Sequence, residues 1–216
     1  MVDRAASRRG LPESVAAAVR AGVDWVQVRE RDLGGAALIE LAEALSAAAR
    51  RAAAESRREV RIVVNRRADV ALAVAADGVH LGFDAMAPAT ARQLLGQEAL
   101  VGVSTHSPAE FRAAQSAGVS YVHLAPIFAP LSKASSRAPC GLAGLAAIAA
   151  GHVPVLAQGG IDASNASQAL AAGASGVAVT GAILMADDPG AAAAALRQAL
   201  DRGASTAPPD GIGAAN

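Results

Sequence analysis

One local pattern recurs along this chain and restricts its fold more than any other feature: an Ala-rich stretch stops at a Gly, and a short run rich in Val follows. It occurs as Ala21-Gly22-Val23-Asp24-Trp25-Val26, Ala75-Ala76-Asp77-Gly78-Val79-His80, Ala117-Gly118-Val119-Ser120-Tyr121-Val122 and Ala172-Gly173-Ala174-Ser175-Gly176-Val177. Gly ends a helix by taking the left-handed conformation, and β-branched residues favour the strand that follows. Further strand candidates lie at 61–65, 100–104 and 154–158, and helical stretches at 12–21, 35–54, 67–75, 88–95, 108–117, 142–150, 164–172 and 189–200. Seven short strands alternating with helices predict parallel strands joined by right-handed crossovers.

Such an order fits an open doubly wound sheet or an α/β TIM (β/α)8 barrel that lacks one strand. The late part of the chain favours the barrel, because Gly159-Gly160 and Thr180-Gly181 each follow a strand directly, and phosphate cups of this barrel are made by its last two strand-end loops. A first strand should precede Pro12, where only Met1 and Val2 remain for its end; the expectation is a first strand truncated or missing. Residues 1–202 then form the barrel domain, and 203–216, without periodicity or an apolar face, a disordered C-terminal tail.

Charge and composition narrow the function classes. The 19 basic and 19 acidic side chains cancel, which leaves no overall drive toward nucleic acid or an anionic membrane surface. No apolar run reaches membrane-spanning length, and the Arg-containing start has no apolar segment after it to make a secretory signal. Cys140 is the only cysteine, which excludes an intrachain disulfide and a Cys-based metal cluster and agrees with a cytoplasmic protein. A homo-oligomer is compatible with all of this.

Side chains alternate faces along a strand, so Trp25, Gln27 and Arg29 share one face, which Arg31 joins if the extended run continues. An amide and two guanidiniums at a barrel mouth suit a polar ring and polyanionic oxygens; a surface salt-bridge face with Glu30 and Asp32 is the equal alternative. Asn65 ends a strand and Asp77 sits at a helix-to-strand junction, where either residue serves equally to turn the chain. Ser104 closes its strand as a ligand contact, while Ser107 reads as the N-cap before Pro108. His80, His106, His123 and His152 show no metal spacing, and His123 reads as a core histidine. The long stretch 125–133 ends in Ser132 and Lys133, a hydroxyl and a point charge suited to a phosphate.

Taken in order, Val26-Gln27-Val28-Arg29-Glu30-Arg31-Asp32, Val64-Asn65, Ala76-Asp77-Gly78-Val79-His80-Leu81-Gly82, Val101-Gly102-Val103-Ser104, Pro126-Ile127-Phe128, Lys133, Gly159-Gly160-Ile161 and Gly176-Val177-Ala178-Val179 resemble the thiamine phosphate synthase family and its sister group, the thiazole tautomerases. The resemblance implies a transferase that condenses hydroxymethylpyrimidine diphosphate with thiazole phosphate, giving thiamine phosphate and diphosphate. It implies that Gln27 holds the pyrimidine; that Arg29, Arg31, Asn65, Ser104 and Lys133 hold the diphosphate; and that Pro130, Leu131, Ser132, Gly160, Thr180 and Gly181 hold the thiazole phosphate. In this family diphosphate leaves a resonance-stabilised pyrimidine cation, so leaving-group stabilisation is the protein's main task.

The chain departs from the family in several places. Arg66 stands where the family has one of two magnesium-binding carboxylates, with Asp77 matching the other, so Mg2+ binding is expected to be weakened. Phe83 replaces a Gln, Pro130 and Ser132 replace two Thr, and Arg31 replaces a Lys. Pro126 stands where the tautomerases carry a catalytic His, which counts against the first alternative, a tautomerase-like isomerase. The other alternative is a non-catalytic barrel that binds thiamine precursors.

Overall fold

In the computed structural model, which describes residues 1–82, 85–129 and 138–206, all four junctions separate a helix from a strand; Gly22, Gly118 and Gly173 take positive φ there, whereas at the second junction Ala75 does so (φ 47°) and Gly78 opens the strand. The order is α1 (Leu11–Arg20), β1 (Trp25–Val28), α2 (Gly35–Glu55), β2 (Arg61–Asn65), α3 (Ala68–Ala73), β3 (Gly78–Leu81), α4 (Pro88–Leu95) and β4 (Leu100–Thr105). There follow α5 (Pro108–Ser116), β5 (Tyr121–Leu124), α6 (Gly141–Ala149), β6 (Val155–Gln158), α7 (Ala166–Ala171), β7 (Gly176–Ala178), α8 (Gly181–Leu184) and α9 (Pro189–Thr206). The strands form one parallel seven-stranded sheet in chain order, a curled TIM-like α/β barrel with helices outside. Ser107 caps α5 as expected, its hydroxyl accepting the Glu110 N–H at 3.2 Å. Among the described residues no helix is long and apolar enough to cross a membrane.

At the seam between β7 and β1, Met1 and Val2 stand where the first strand was expected to be truncated or missing. Val2 forms a parallel bridge with Val28; its N–H donates to the Gln27 carbonyl at 2.7 Å and its own carbonyl accepts the Arg29 N–H at 3.0 Å. On the other side the Met1 amino group donates to the Val179 carbonyl at 2.7 Å. Two residues thus take up the place of a strand. α9 runs past the expected helix end at 200 and through 203–206, the first part of the expected tail, because Gly203 is buried where α9 crosses Ser167 and Leu170 of α7. The rest of the expected tail, 207–216, lies outside the described residues.

Alternation along the strands sorts the side chains into two layers. The outward residues Val26, Val28, Ile62, Val64, Val79, Val101, Val122, Leu124 and Val155 are all at most 4% exposed. They pack under helices such as α2, whose buried Leu38, Ala42, Leu45, Ala49 and Ala52 form one stripe at helical spacing. Full burial of a Val or Leu side chain is worth about 1.5–3 kcal/mol, so this outer layer carries the stability. The inward positions hold aromatic and polar side chains beside the aliphatic Val63, Leu100 and Leu156.

Inside the barrel the Tyr121 ring lies across Gly102, where any Cβ would overlap it, and meets Trp25 edge-on at 4.9 Å. Its hydroxyl is 3.2 Å from His80 Nδ1, and His80 Nε2 is 2.9 Å from Ser104 Oγ. The rings of His80 and His123 lie 4.2 Å apart, and His123 Nδ1 is 3.1 Å from Gln158 Oε1. Both histidines are held neutral. Burial, then the charge each would feel from the other and from Arg29, puts His80 well below the usual histidine range; burial, then the Met1 amino group, lowers His123 to about 3.

Two outcomes are expected. Gly102→Ala pushes a methyl into the Tyr121 ring and should destabilise the fold by about 1–3 kcal/mol, read as a lower urea midpoint. Because the unfolded chain protonates these histidines near pH 6.5 and the folded chain does not, their contribution to stability is complete above that pH and falls as pH drops below it. The slope is at most about 1.4 kcal/mol per pH unit per histidine. The Met1 amino group, lowered to about 5 by burial and then by Arg29, acts in the same direction from pH 8 downward. Urea midpoints from pH 7 to 5 should therefore decline for the wild type and decline less for His123→Asn, which keeps a donor for Gln158 and removes one titrating group.

Candidate active site

The C-terminal ends of the strands gather most of the side chains singled out in the sequence. β1 ends at Val28, so Arg29 leaves the sheet still facing inward, and Arg31 follows on an exposed bend. Burial lowers the Arg29 pKa, as do the neighbouring charges of Arg31 and, more weakly, Arg66, while Asp3 and Glu30 oppose them. Three guanidiniums therefore share one mouth. Arg29 is ion-paired with Asp3 at 3.1 Å. Glu30 and Asp32 are instead held by Arg4, at 3.3 and 3.1 Å, so the salt-bridge face allowed by the sequence exists but is organised around Arg4.

Asn65 ends β2, 7% exposed, and pairs in register with His80. Arg66 follows with left-handed backbone, φ 67°, and its N–H donates to the His80 carbonyl at 2.8 Å. Ser104 lies near the end of β4 beside His123 of β5. One step deeper on β1, Gln27 is 7% exposed, and neither its amide nitrogen nor its oxygen has a hydrogen-bond partner among the described residues. The amide sits near enough to the Tyr121 hydroxyl to offset slightly the rise in pKa that burial causes there, without bonding geometry. A buried amide with both ends unmet is costly in isolation and marks a place for a ligand with a matching donor and acceptor.

The far side of the mouth is backbone. Gly159 and Gly160 follow β6 with φ of 93° and 64°, and a Cβ on Gly160 would strike the Ala129 carbonyl and Phe128. The turn is fixed by Asn165, which donates to the Gly160 carbonyl at 2.9 Å and accepts the Asp162 N–H at 3.0 Å. Thr180 and Gly181 open α8, whose first-turn N–H groups have no intrahelical acceptor. The segment after β5 is closed at its base: the Cys140 N–H donates to the Pro126 carbonyl at 2.9 Å and the Gly141 N–H to the Ile127 carbonyl at 3.2 Å. Pro130, Leu131, Ser132 and Lys133, together with Phe83, lie outside the described residues.

Asp77 is a correction. It precedes β3, at the opposite end of the strands, roughly 15 Å from the mouth by strand rise. There its carboxylate accepts the Ile62 N–H at 2.7 Å and pairs with Arg61 at 3.2 Å, so it cannot reach a ligand beside Arg29. Among the described residues no group of three or more His, Cys, Asp or Glu side chains could hold a metal ion. The sequence reading also missed the inward role of His80 and Tyr121; their parity on β3 and β5, shared with Gln27 on β1, was the available signal.

Comparison with known proteins agrees with this geometry. Residues 1–183 match the family described as Thiamine monophosphate synthase. The chain is 44% identical over 198 residues to the thiamine-phosphate synthase of Chloroflexus aurantiacus, covering 91% of this chain and 87% of that protein. It is 41% identical over 191 residues to that of Moorella thermoacetica, covering 88% of each. Its fold superposes on the thiamine phosphate pyrophosphorylase of Pyrococcus furiosus with a TM-score of 0.80 at 30% identity, covering 94% of both chains. With a match across most of its length and an arginine-lined mouth in the same barrel, this chain belongs to the thiamine monophosphate synthase family.

Proposed function

We propose that this protein is a thiamine-phosphate synthase, a transferase acting on small phosphorylated compounds, and that its reaction joins a pyrimidinylmethyl diphosphate to a thiazole phosphate. The carbon–oxygen bond to diphosphate breaks, the electron pair leaves with the diphosphate, and the thiazole nitrogen closes a new bond on the methylene carbon. No side-chain nucleophile takes part. The observation that carries this reading is the convergence of Arg29, Arg31, Arg66, Asn65 and Ser104 on the rim above the unpartnered amide of Gln27.

In this assignment Gln27 reads the pyrimidine ring, while Arg29, Arg31, Asn65, Ser104 and Lys133 hold the diphosphate. Gly160, Thr180 and Gly181 offer backbone N–H groups to the thiazole phosphate, to which Pro130, Leu131 and Ser132 are also assigned. Guanidiniums keep their charge at any accessible pH and bind phosphate oxygens bidentately, so we assign neutralisation of the leaving group chiefly to Arg29, Arg31 and Arg66. Magnesium carried by the substrate's own phosphates is then an accessory. The lone Cys140 agrees with a cytoplasmic enzyme.

Two measurements test the reading. Arg29→Ala should lower the rate of thiamine phosphate formation by about 10²–10³ while thiazole phosphate binding stays near normal; near-normal turnover would remove the diphosphate assignment. Across a magnesium titration the wild type should turn over with little dependence on metal, and Arg66→Asp should become metal-dependent. A wild type inactive at every magnesium concentration and restored by Arg66→Asp would show the guanidinium to be a lesion.

A further inference from the structure

The buried chain Tyr121–His80–Ser104 has a direction. A neutral imidazole carries one proton, so one of its nitrogens donates and the other accepts. Burial raises the Tyr121 pKa and keeps its hydroxyl protonated, and a buried phenol must donate somewhere. Among the described residues the acceptor in hydrogen-bond geometry with it is His80 Nδ1, at 3.2 Å. That places the single imidazole proton on Nε2, 2.9 Å from Ser104 Oγ.

We propose that His80 is a positioning residue for Ser104: its Nε2–H donates to the Ser104 oxygen, so that the serine hydroxyl turns its own proton toward the departing diphosphate. The inference rests on the functional reading above, in which Ser104 touches that group. A serine hydroxyl left alone rotates and can accept or donate equally well; with its oxygen already taken by an N–H, only the outward donor remains for an anion. Preorganised donors of this kind are worth most where charge develops. The imidazole is itself fixed, by the Tyr121 hydroxyl at one edge and the His123 ring 4.2 Å from its face. Tyr121 in turn takes its place across Gly102, which sits in register with both Tyr121 and His80. The charged and titratable groups facing the imidazole are His123, Tyr121 and Arg29.

The test separates reach from bulk. In His80→Asn the amide stands near the Nδ1 position and falls short of Ser104; in His80→Gln it extends to the Nε2 position. Each is combined with Ser104→Ala, and kcat, both KM values and the thermal midpoint are measured. Ser104→Ala and His80→Asn should each lower kcat by about ten- to a hundredfold with the KM for thiazole phosphate unchanged. The double variant should be no slower than Ser104→Ala alone, and His80→Gln should recover most of the rate. Tyr121→Phe, which frees the imidazole to hold its proton on either nitrogen, should slow the enzyme only when Ser104 is present, and it tests the same chain should His80→Asn fail to fold. Losses that multiply, or a Gln variant no faster than the Asn variant, would overturn the proposal. A silent Ser104→Ala beside a slow Arg29→Ala would overturn it too while leaving the arginine assignments standing. If Arg29→Ala is also silent, the functional reading itself falls.

Discussion

In a parallel sheet closed into a barrel, each strand has one face toward the helices and one toward the axis, and the two-residue period assigns every side chain to one or the other. Val, Ile and Leu at the outward positions are buried under the helices, and that burial supplies the stability. The inward positions are thereby released from making an apolar core. They are filled from Trp25 at the lower end, through Tyr121, to His80, His123, Gln158 and Ser104 near the mouth. Polar groups removed from water must find partners, and here they find one another across four neighbouring strands. The amide of Gln27 is the exception, and it lies where the substrate ring is assigned.

The mouth concentrates charge of one sign. Arg31 and Arg66 both disfavour the charged form of Arg29, so the free protein holds a repulsive arrangement that a polyanion relieves. Asp3 pairs with Arg29 and offsets part of this charge, while Glu30 and Asp32 are turned to Arg4, and Asp77 to Arg61 on the far face. Arg66 adopts left-handed backbone as a non-glycine residue, a conformation that costs roughly 1 kcal/mol or more. Stored strain and mutual repulsion at one place are features of a site organised before its ligand arrives.

Much of the architecture was legible from the Gly junctions, because helix stops and β-branched strand starts are local events. What failed was of another kind. Asp77 was assigned by its place in a motif, although the junction before Gly78 already put it at the strand's start, away from the rim. α8 is four residues long, too short to show helical periodicity, and the last turn of α9 is held by packing of Gly203 on α7, which no local pattern encodes. The seam formed by Met1 and Val2 depends on hydrogen bonds to residues 27, 29 and 179, and the links from Tyr121 to His80 and Ser104 depend on register between strands. Contacts set by register become visible only once the strands are paired.

The closed base of the segment after β5 has a consequence for how this barrel tolerates variation. Two backbone hydrogen bonds, from Cys140 to Pro126 and from Gly141 to Ile127, bring the two ends of that segment to a neck, and the Cys140 thiol adds a third contact to the Pro126 carbonyl at 3.2 Å. The entropy of joining those ends is met by the neck, and beyond it the cost grows only logarithmically, by about 0.6 kcal/mol for each doubling of length. Changes of length beyond that neck therefore cost the barrel little. Strand register and loop length are thereby separate variables in this barrel.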